Sequence, residues 1–326
     1  MQTKLPTFVP RHGLSGGHRQ TLASFFLPRS FTLPPAEARY VEVEPGIQVL
    51  VHCHWQSDRE NALTIIVVHG LEGSSDSTYM LGIAAKGLAI GMNVVRMNQR
   101  NCGGTEALAP TLYHSGRSQD VAAVAQNLIE QDRISRFALA GYSMGGNLVL
   151  KLAGEWGSAG PRQFRSVAAV CPAIDLAASA DALHSRSNRL YERYFLWNLS
   201  RRLRTKARLF PDAFDTSRLR GIRSLREFDD RITAFYCGFT GADDYYDRSA
   251  AGHVIDRIAV PALILNAAND PFIRILPETR RKILDNPQIT FVETEDGGHC
   301  SYLADTNGSN DGRWAESQIV EFLRTM

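Results

Sequence analysis

The sequence predicts an α/β fold: a mostly parallel, doubly wound sheet with two antiparallel strands first and a helical segment inserted late in the chain. Three observations predict it. Short apolar runs alternate with stretches of helical periodicity along most of the 326 residues. One apolar run leads directly into a glycine-flanked serine. The rhythm breaks once, over residues 174–247.

Up to about residue 35 the chain is rich in Pro, Gly and His and reads as irregular. Residues 39–43 and 48–55 read as antiparallel strands around the turn Pro45-Gly46. Residues 63–68 (LTIIVV) form a continuous apolar run, as expected of a strand buried on both faces. A helix over 77–88 and a strand over 93–98 follow. The helix over 118–131 puts Val121, Val124 and Leu128 on one stripe. The strand over 136–140 precedes the serine. The helix after it turns Leu148, Leu152 and Trp156 inward and stops at Gly157. Strands over 166–170, 262–266 and 289–293 come next. The last helix carries Trp314, Ile319, Phe322 and Leu323. Residues 174–247 are mostly helical in pattern. They are expected to fold over the carboxyl edge of the sheet as a cap, within a single domain spanning 1–326.

Composition narrows the functional classes. A hydrophobic share of 44% against 21% charged residues allows a sizeable core. The net charge of +2 is not gathered into a tail or stripe, so no nucleic-acid partner is expected. The five cysteines are scattered and form no CxxC pair, which argues against a zinc or dithiol motif and fits reduced thiols in a cytoplasm. The start of the chain lacks a signal-peptide pattern, and the apolar stretch 21–27 is too short to span a bilayer. A cytoplasmic protein without a transmembrane segment is the expectation.

Four segments carry chemistry. Gly141-Tyr142-Ser143-Met144-Gly145-Gly146 fits G-x-S-x-G, in which the serine sits on a sharp strand-to-helix turn and side chains two residues away would collide. Ser143 is the expected nucleophile. His69-Gly70-Leu71 follows the 63–68 strand and reads as the loop that supplies half of an oxyanion hole. Its expected donors are the backbone N–H groups of Leu71 and Met144. Asp270, in Asn269-Asp270-Pro271 beyond a strand end, is the expected acid. Asn-Asp-Pro is also good turn chemistry, and Asp243, Asp244 and Asp296 are rivals. His299, in Gly297-Gly298-His299-Cys300, is the expected base, and the order Ser, Asp, His is that of α/β hydrolases.

The remaining candidates take plainer readings. His52 and His54 share one strand face and read as surface residues, since no third metal ligand is in reach. His69 is expected to orient the oxyanion loop. Cys300 reads as an ordinary small thiol in preference to a redox switch. Residues 185–206 hold seven basic side chains against one acid, with aromatics between them. An amphipathic lid that meets a lipid surface is one reading; a helix with one core face and one solvated face is preferred.

Several motifs together resemble the YheT-like group of α/β hydrolases, the AB hydrolase 4 family. They are Gly17-His18-Arg19-Gln20-Thr21, the 69–75 loop, 98–104 (NQRNCGG), Tyr113-His114-Ser115-Gly116, the serine elbow through Asn147, 226–230 (REFDD) and Asp244-Tyr245-Tyr246. The resemblance covers nearly the whole chain. It implies carboxylic-ester hydrolysis with Ser143, Asp270 and His299 as the triad. Asn101 stands where the family more often has glycine, and asparagine tolerates the left-handed backbone.

The expected reaction is acyl transfer from a short- to medium-chain ester to water, without metal or cofactor, on a small-molecule ester or lipid-like substrate. An ester-forming acyltransferase is the first alternative, and a non-catalytic binding protein on the same fold the second.

Overall fold

The structure, a computed structural model, describes residues 6–306 and 311–325. Eight strands form one sheet in the order β1-β2-β4-β3-β5-β6-β7-β8. They are β1 (Glu37–Glu44), β2 (Ile47–His54), β3 (Thr64–Val68), β4 (Asn93–Met97), β5 (Phe137–Tyr142), β6 (Phe164–Val170), β7 (Ala262–Ala267) and β8 (Ile289–Thr294). β1 and β2 pair antiparallel, as do β2 and β4; every other pairing is parallel.

Helices cover both faces, so the central strands are apolar on both sides. Every residue of β3, β4 and β5 is buried. Ile65 and Val67 join one core with Met80 and Ile83 of α2 (Thr78–Ala89) and Ile319 and Leu323 of α11 (Trp314–Arg324). Their neighbours Ile66 and Val68 join the opposite core. That core includes Val121 and Leu128 of α3 (Ser118–Asp132) and Leu148 and Leu152 of α4 (Met144–Trp156). Alternation along a strand sends successive side chains to opposite layers.

Between β6 and β7 the chain is helical. It runs through α5 (Leu176–Leu183), α6 (Arg189–Leu209), α7 (Leu225–Phe228), a wide turn over Asp229–Ala234, α8 (Phe235–Cys237) and α9 (Ala242–Ser249). A third apolar cluster joins this insertion to the sheet. Leu199 and Leu203 of α6 and Phe228 and Ile232 meet Met144, Cys102 and Leu112. The insertion is thereby packed against the residue that follows Ser143.

Two expectations need correction, and one helix has no sequence expectation behind it. The first 35 residues are not irregular throughout: α1 spans Gly17–Phe26. Its anchor is a hydrogen-bonding side chain instead of an apolar stripe, because its one buried residue is Gln20. The helix α10 (Pro277–Asp285), which opens on proline, carried no assignment from the pattern. His52 and His54 are not surface residues. β2 has a partner on each side, His54 is buried, and His52 is half-buried with Nδ1 2.9 Å from the Ser75 hydroxyl. Burial and the neighbouring Arg96 push the His54 pKa down to about 4.

Candidate active site

Ser143 leaves the carboxyl end of β5 and starts α4 with φ 55° and ψ −119°, a region that non-glycine residues rarely occupy. The glycines around it are sterically required. A Cβ at Gly141 would lie 2.3 Å from the Gly145 carbonyl oxygen, and a Cβ at Gly145 2.3 Å from that of Val68. The turn is held by the Ser143 N–H donating to Val170 O at 2.9 Å and by Ala173 N–H donating to Ser143 O at 3.2 Å.

Asp270 follows β7 and His299 follows β8, so adjacent parallel strands deliver both beside the serine. His299 Nε2 lies 3.0 Å from Ser143 Oγ, and His299 Nδ1 lies 2.8 Å from Asp270 Oδ2. Asp270 Oδ1 accepts from the backbone N–H groups of Phe272 and Ile273 at 3.0 and 2.9 Å. Burial works against the Asp270 charge, but the His299 ring and these N–H donors outweigh it and hold its pKa below the usual value. A carboxylate placed in this way keeps the proton on Nδ1 and leaves the Nε2 lone pair toward the serine.

The rival acids are engaged elsewhere. Asp296 accepts from the Ser15 hydroxyl and Gly16 N–H, Asp243 pairs with Arg226, and Asp244 accepts from Thr240 N–H at 2.9 Å.

The loop after β3 passes directly over the elbow, since β3 pairs with β5 through Val68 and Gly141. A Cβ at Gly70 would sit 3.1 Å from the Ser143 Cβ. His69 is fully buried. Its Nε2 accepts from Gln99 N–H at 3.1 Å, so Nδ1 carries the proton and donates to Gly70 O at 2.7 Å. Burial lowers its pKa to about 4, which keeps the ring neutral in that role.

Supports come both from the chemistry motifs themselves, as with Asn269, and from segments outside them. Thr21 Oγ1 of α1 accepts from His299 N–H at 2.9 Å and donates to Gly17 O at 2.7 Å. Gln20 brackets Leu303 through both its carbonyl and its N–H. Asn269 Oδ1 accepts from Gly298 N–H at 3.1 Å. Glu72, next to Leu71, is gripped by Arg202 of α6 and by Tyr113. The signal for these lay in the Gly17–Thr21 and Tyr113–Gly116 segments, which the resemblance uses without assigning them a task.

A cleft opens beside Ser143. Its space, counted out to open solvent, is about 950 Å³. Leu112, Leu176, Leu183, Leu199, Phe228 and Phe272 make most of it apolar. Asp229, Thr233, Tyr246 and Arg202 supply polar points along its wall.

Sheet order, elbow and the Ser143–His299–Asp270 row define an α/β hydrolase. The chain belongs to the family described as the alpha/beta hydrolase fold, which matches residues 64–306, and within it to the YheT-like group. YheT of Escherichia coli strain K12, which carries an esterase designation, is 30% identical over 98% of this chain and 93% of its own length. Phospholipase ABHD3 of Mus musculus is 30% identical over 91% of this chain and 73% of its own length. Monoacylglycerol lipase of Saccharomyces cerevisiae is 27% identical over 80% of this chain and 58% of its own. Among solved structures, the Pyrococcus furiosus esterase Pf2001 matches with a TM-score of 0.57 at 14% identity, over 100% of this chain and 99% of its own. Est1E of Butyrivibrio proteoclasticus matches at 0.58 and 14%, over 88% and 98%. These two similarities concern the fold. Taken with its curated relatives, the chain is a carboxylic-ester hydrolase by kind.

Proposed function

We propose that the protein cleaves short- to medium-chain carboxylic esters through an acyl-enzyme on Ser143. The observation that carries this reading is the unbroken row from Ser143 Oγ to His299 Nε2 at 3.0 Å and from His299 Nδ1 to Asp270 at 2.8 Å. His299 takes the Oγ proton as Oγ attacks the ester carbonyl, then gives that proton to the leaving alcohol. Water repeats the sequence and releases the acid. Asp270 keeps its charge throughout and stabilises the imidazolium. The side chains suffice for this chemistry, so it calls for no cofactor.

The developing oxyanion is assigned to the N–H groups of Leu71 and Met144. In support, neither N–H has a hydrogen-bond partner among the described residues, although both border the elbow. Two such preorganised donors are worth about 10²–10³ in rate each. Residues 174–247 act as the cap, since α5, α6 and α7 supply much of the apolar cleft wall. The apolar lining beside the serine is what supports a short- to medium-chain acyl group. Hydrolysis of a p-nitrophenyl ester series from acetate to palmitate tests both points: a maximum at intermediate length supports the cap as acyl pocket, and a flat profile contradicts it. Transfer to an alcohol uses the same groups and differs only in the acceptor.

A lipid-surface contact is the second reading, favoured by an exposed face on α1 and α6. Leu22, Phe25 and Phe26 stand out from α1, and Leu190, Tyr194 and Trp197 from α6, with Phe25 and Tyr194 rings 5.9 Å apart. Arg189, Arg193, Arg201 and Arg204 are exposed along the same helix. Vesicle binding tests this reading. No helix among the described residues is long and apolar enough to cross a membrane. Its thiols, all free, fit the cytoplasmic location proposed for it.

A further inference from the structure

Cys171 and Cys300 are 129 residues apart in sequence and meet beside the proposed base. Cys171 follows β6 and Cys300 follows His299. The Cys300 N–H donates to Cys171 Sγ at 3.3 Å, and Cys300 Sγ lies 3.8 Å from His299 Nε2. Both thiol sulfurs and one His299 ring nitrogen lie within 4.8 Å of one another. Among the described residues no other three His, Cys, Asp or Glu side chains converge in this way. We propose that Cys171, Cys300 and His299 form a binding site for a thiophilic divalent cation, of which Zn²⁺ and Cd²⁺ are the chemical type, and that filling it switches hydrolysis off.

The donor set decides the cation class. Two thiolates and an imidazole select soft or borderline ions over Mg²⁺ or Ca²⁺. With Zn–S near 2.3 Å and Zn–N near 2.0–2.1 Å, tetrahedral ligand atoms stand roughly 3.4–3.8 Å apart. The 3.8 Å from Cys300 Sγ to His299 Nε2 already meets that spacing. The imidazole is prepared as a ligand, because Asp270 holds Nδ1 at 2.8 Å and turns the Nε2 lone pair outward. Binding is charge- and atom-balanced: each thiol gives up a proton to solvent as its sulfur joins the ion, and His299 binds neutral. Ser143 Oγ lies 3.0 Å from the same Nε2. An ion on Nε2 takes the lone pair that must accept the serine proton, so metal and catalysis exclude each other. The two thiols at present serve as weak partners, Cys171 Sγ toward Gly298 O at 3.5 Å and Cys300 Sγ toward Val170 O at 3.4 Å. Losing those contacts costs little.

The inhibitory consequence rests on the ester-hydrolase reading; the binding itself does not. The test therefore has two arms on the full chain. In the first, Cd²⁺ is titrated into wild type and the cadmium–thiolate charge-transfer absorbance is followed. The site predicts a band that saturates at one ion per chain, is displaced by Zn²⁺, and is lost in Cys171→Ala and in Cys300→Ala. No thiolate band on folded wild type overturns the proposal, and this arm needs neither a variant nor turnover. In the second, Zn²⁺ inhibits p-nitrophenyl butyrate hydrolysis and a chelator restores it. Both cysteine variants keep hydrolysing the ester, and their half-inhibiting Zn²⁺ concentration rises ~10–100-fold or more. Equal Zn²⁺ sensitivity in wild type and both variants places the ion elsewhere and rejects the site. If no form hydrolyses the ester, the function reading fails while the cadmium band still decides the site.

Discussion

Glu72 takes a left-handed backbone, φ 57°, directly after Leu71, and its side chain is only 5% exposed. A buried carboxylate at a strained position persists when partners hold it there. Arg202 supplies a two-pronged grip, Nε to Oε1 at 2.9 Å and Nη2 to Oε2 at 3.0 Å, and the Tyr113 hydroxyl donates to Oε1 at 2.5 Å. Through this clamp α6 fixes the loop that presents the Leu71 N–H. Arg202→Met is expected to lower kcat by roughly 10–100-fold with little change in KM, because it loosens the loop whose Leu71 N–H is proposed to act on the transition state. Arg202→Lys keeps the charge but not the fork and should fall between. Steady-state kinetics check this, and an unchanged kcat in Arg202→Met would remove the clamp from the account. The convergence of Ser143, Asp270 and His299 was legible because glycines and strand ends announce those positions. Arg202 was not: in sequence it is one of seven basic residues in 185–206, and only packing singles it out.

At α1 the reason for poor legibility is different. A helix usually reveals itself by an apolar stripe facing the core. Here Gln20 faces inward, and Leu22, Phe25 and Phe26 face out, so the periodicity points the wrong way. What fastens α1 is specific hydrogen bonding to the 297–303 loop, which pattern reading does not register. The outward aromatics and the arginines of α6 predict binding to anionic vesicles, since apolar insertion and charge attraction act together. Wild type should sediment with phosphatidylglycerol-containing vesicles and weakly with phosphatidylcholine alone. Phe25→Ser/Phe26→Ser/Trp197→Ser should lose most of that binding and keep its activity on a soluble ester. Equal sedimentation of the two proteins, or a stable dimer covering this face, would contradict the lipid contact.

Across the molecule, the sheet was legible nearly strand for strand, because doubly covered strands are apolar throughout and need no partner to be recognised. The docking of the insertion was not, because it depends on side chains far apart in sequence, such as Met144 against Leu199. One buried group in that insertion is expected to make stability depend on pH. Asp229 accepts from the Tyr246 and Thr233 hydroxyls at 2.7 Å each, yet burial pushes its pKa up to about 6. Below pH ~4 the carboxyl is protonated in both folded and unfolded chains. Between about 4 and 6 the folded chain keeps a proton the unfolded chain has lost, so this group's contribution to stability declines as pH rises and levels off above 6. Asp229→Asn should flatten that decline. Urea midpoints from pH 4 to 7 for the two proteins show it, and parallel curves would argue against the raised pKa.

The central claim is that Ser143, set up by His299 and Asp270, carries the hydrolysis. The most direct measurement is turnover of p-nitrophenyl butyrate by wild type beside Ser143→Ala, with circular dichroism confirming that both are folded. The account predicts clear wild-type turnover and a fall in kcat of about 10⁴–10⁶ in the variant, as when a triad nucleophile is removed. Equal rates in the two proteins would contradict it.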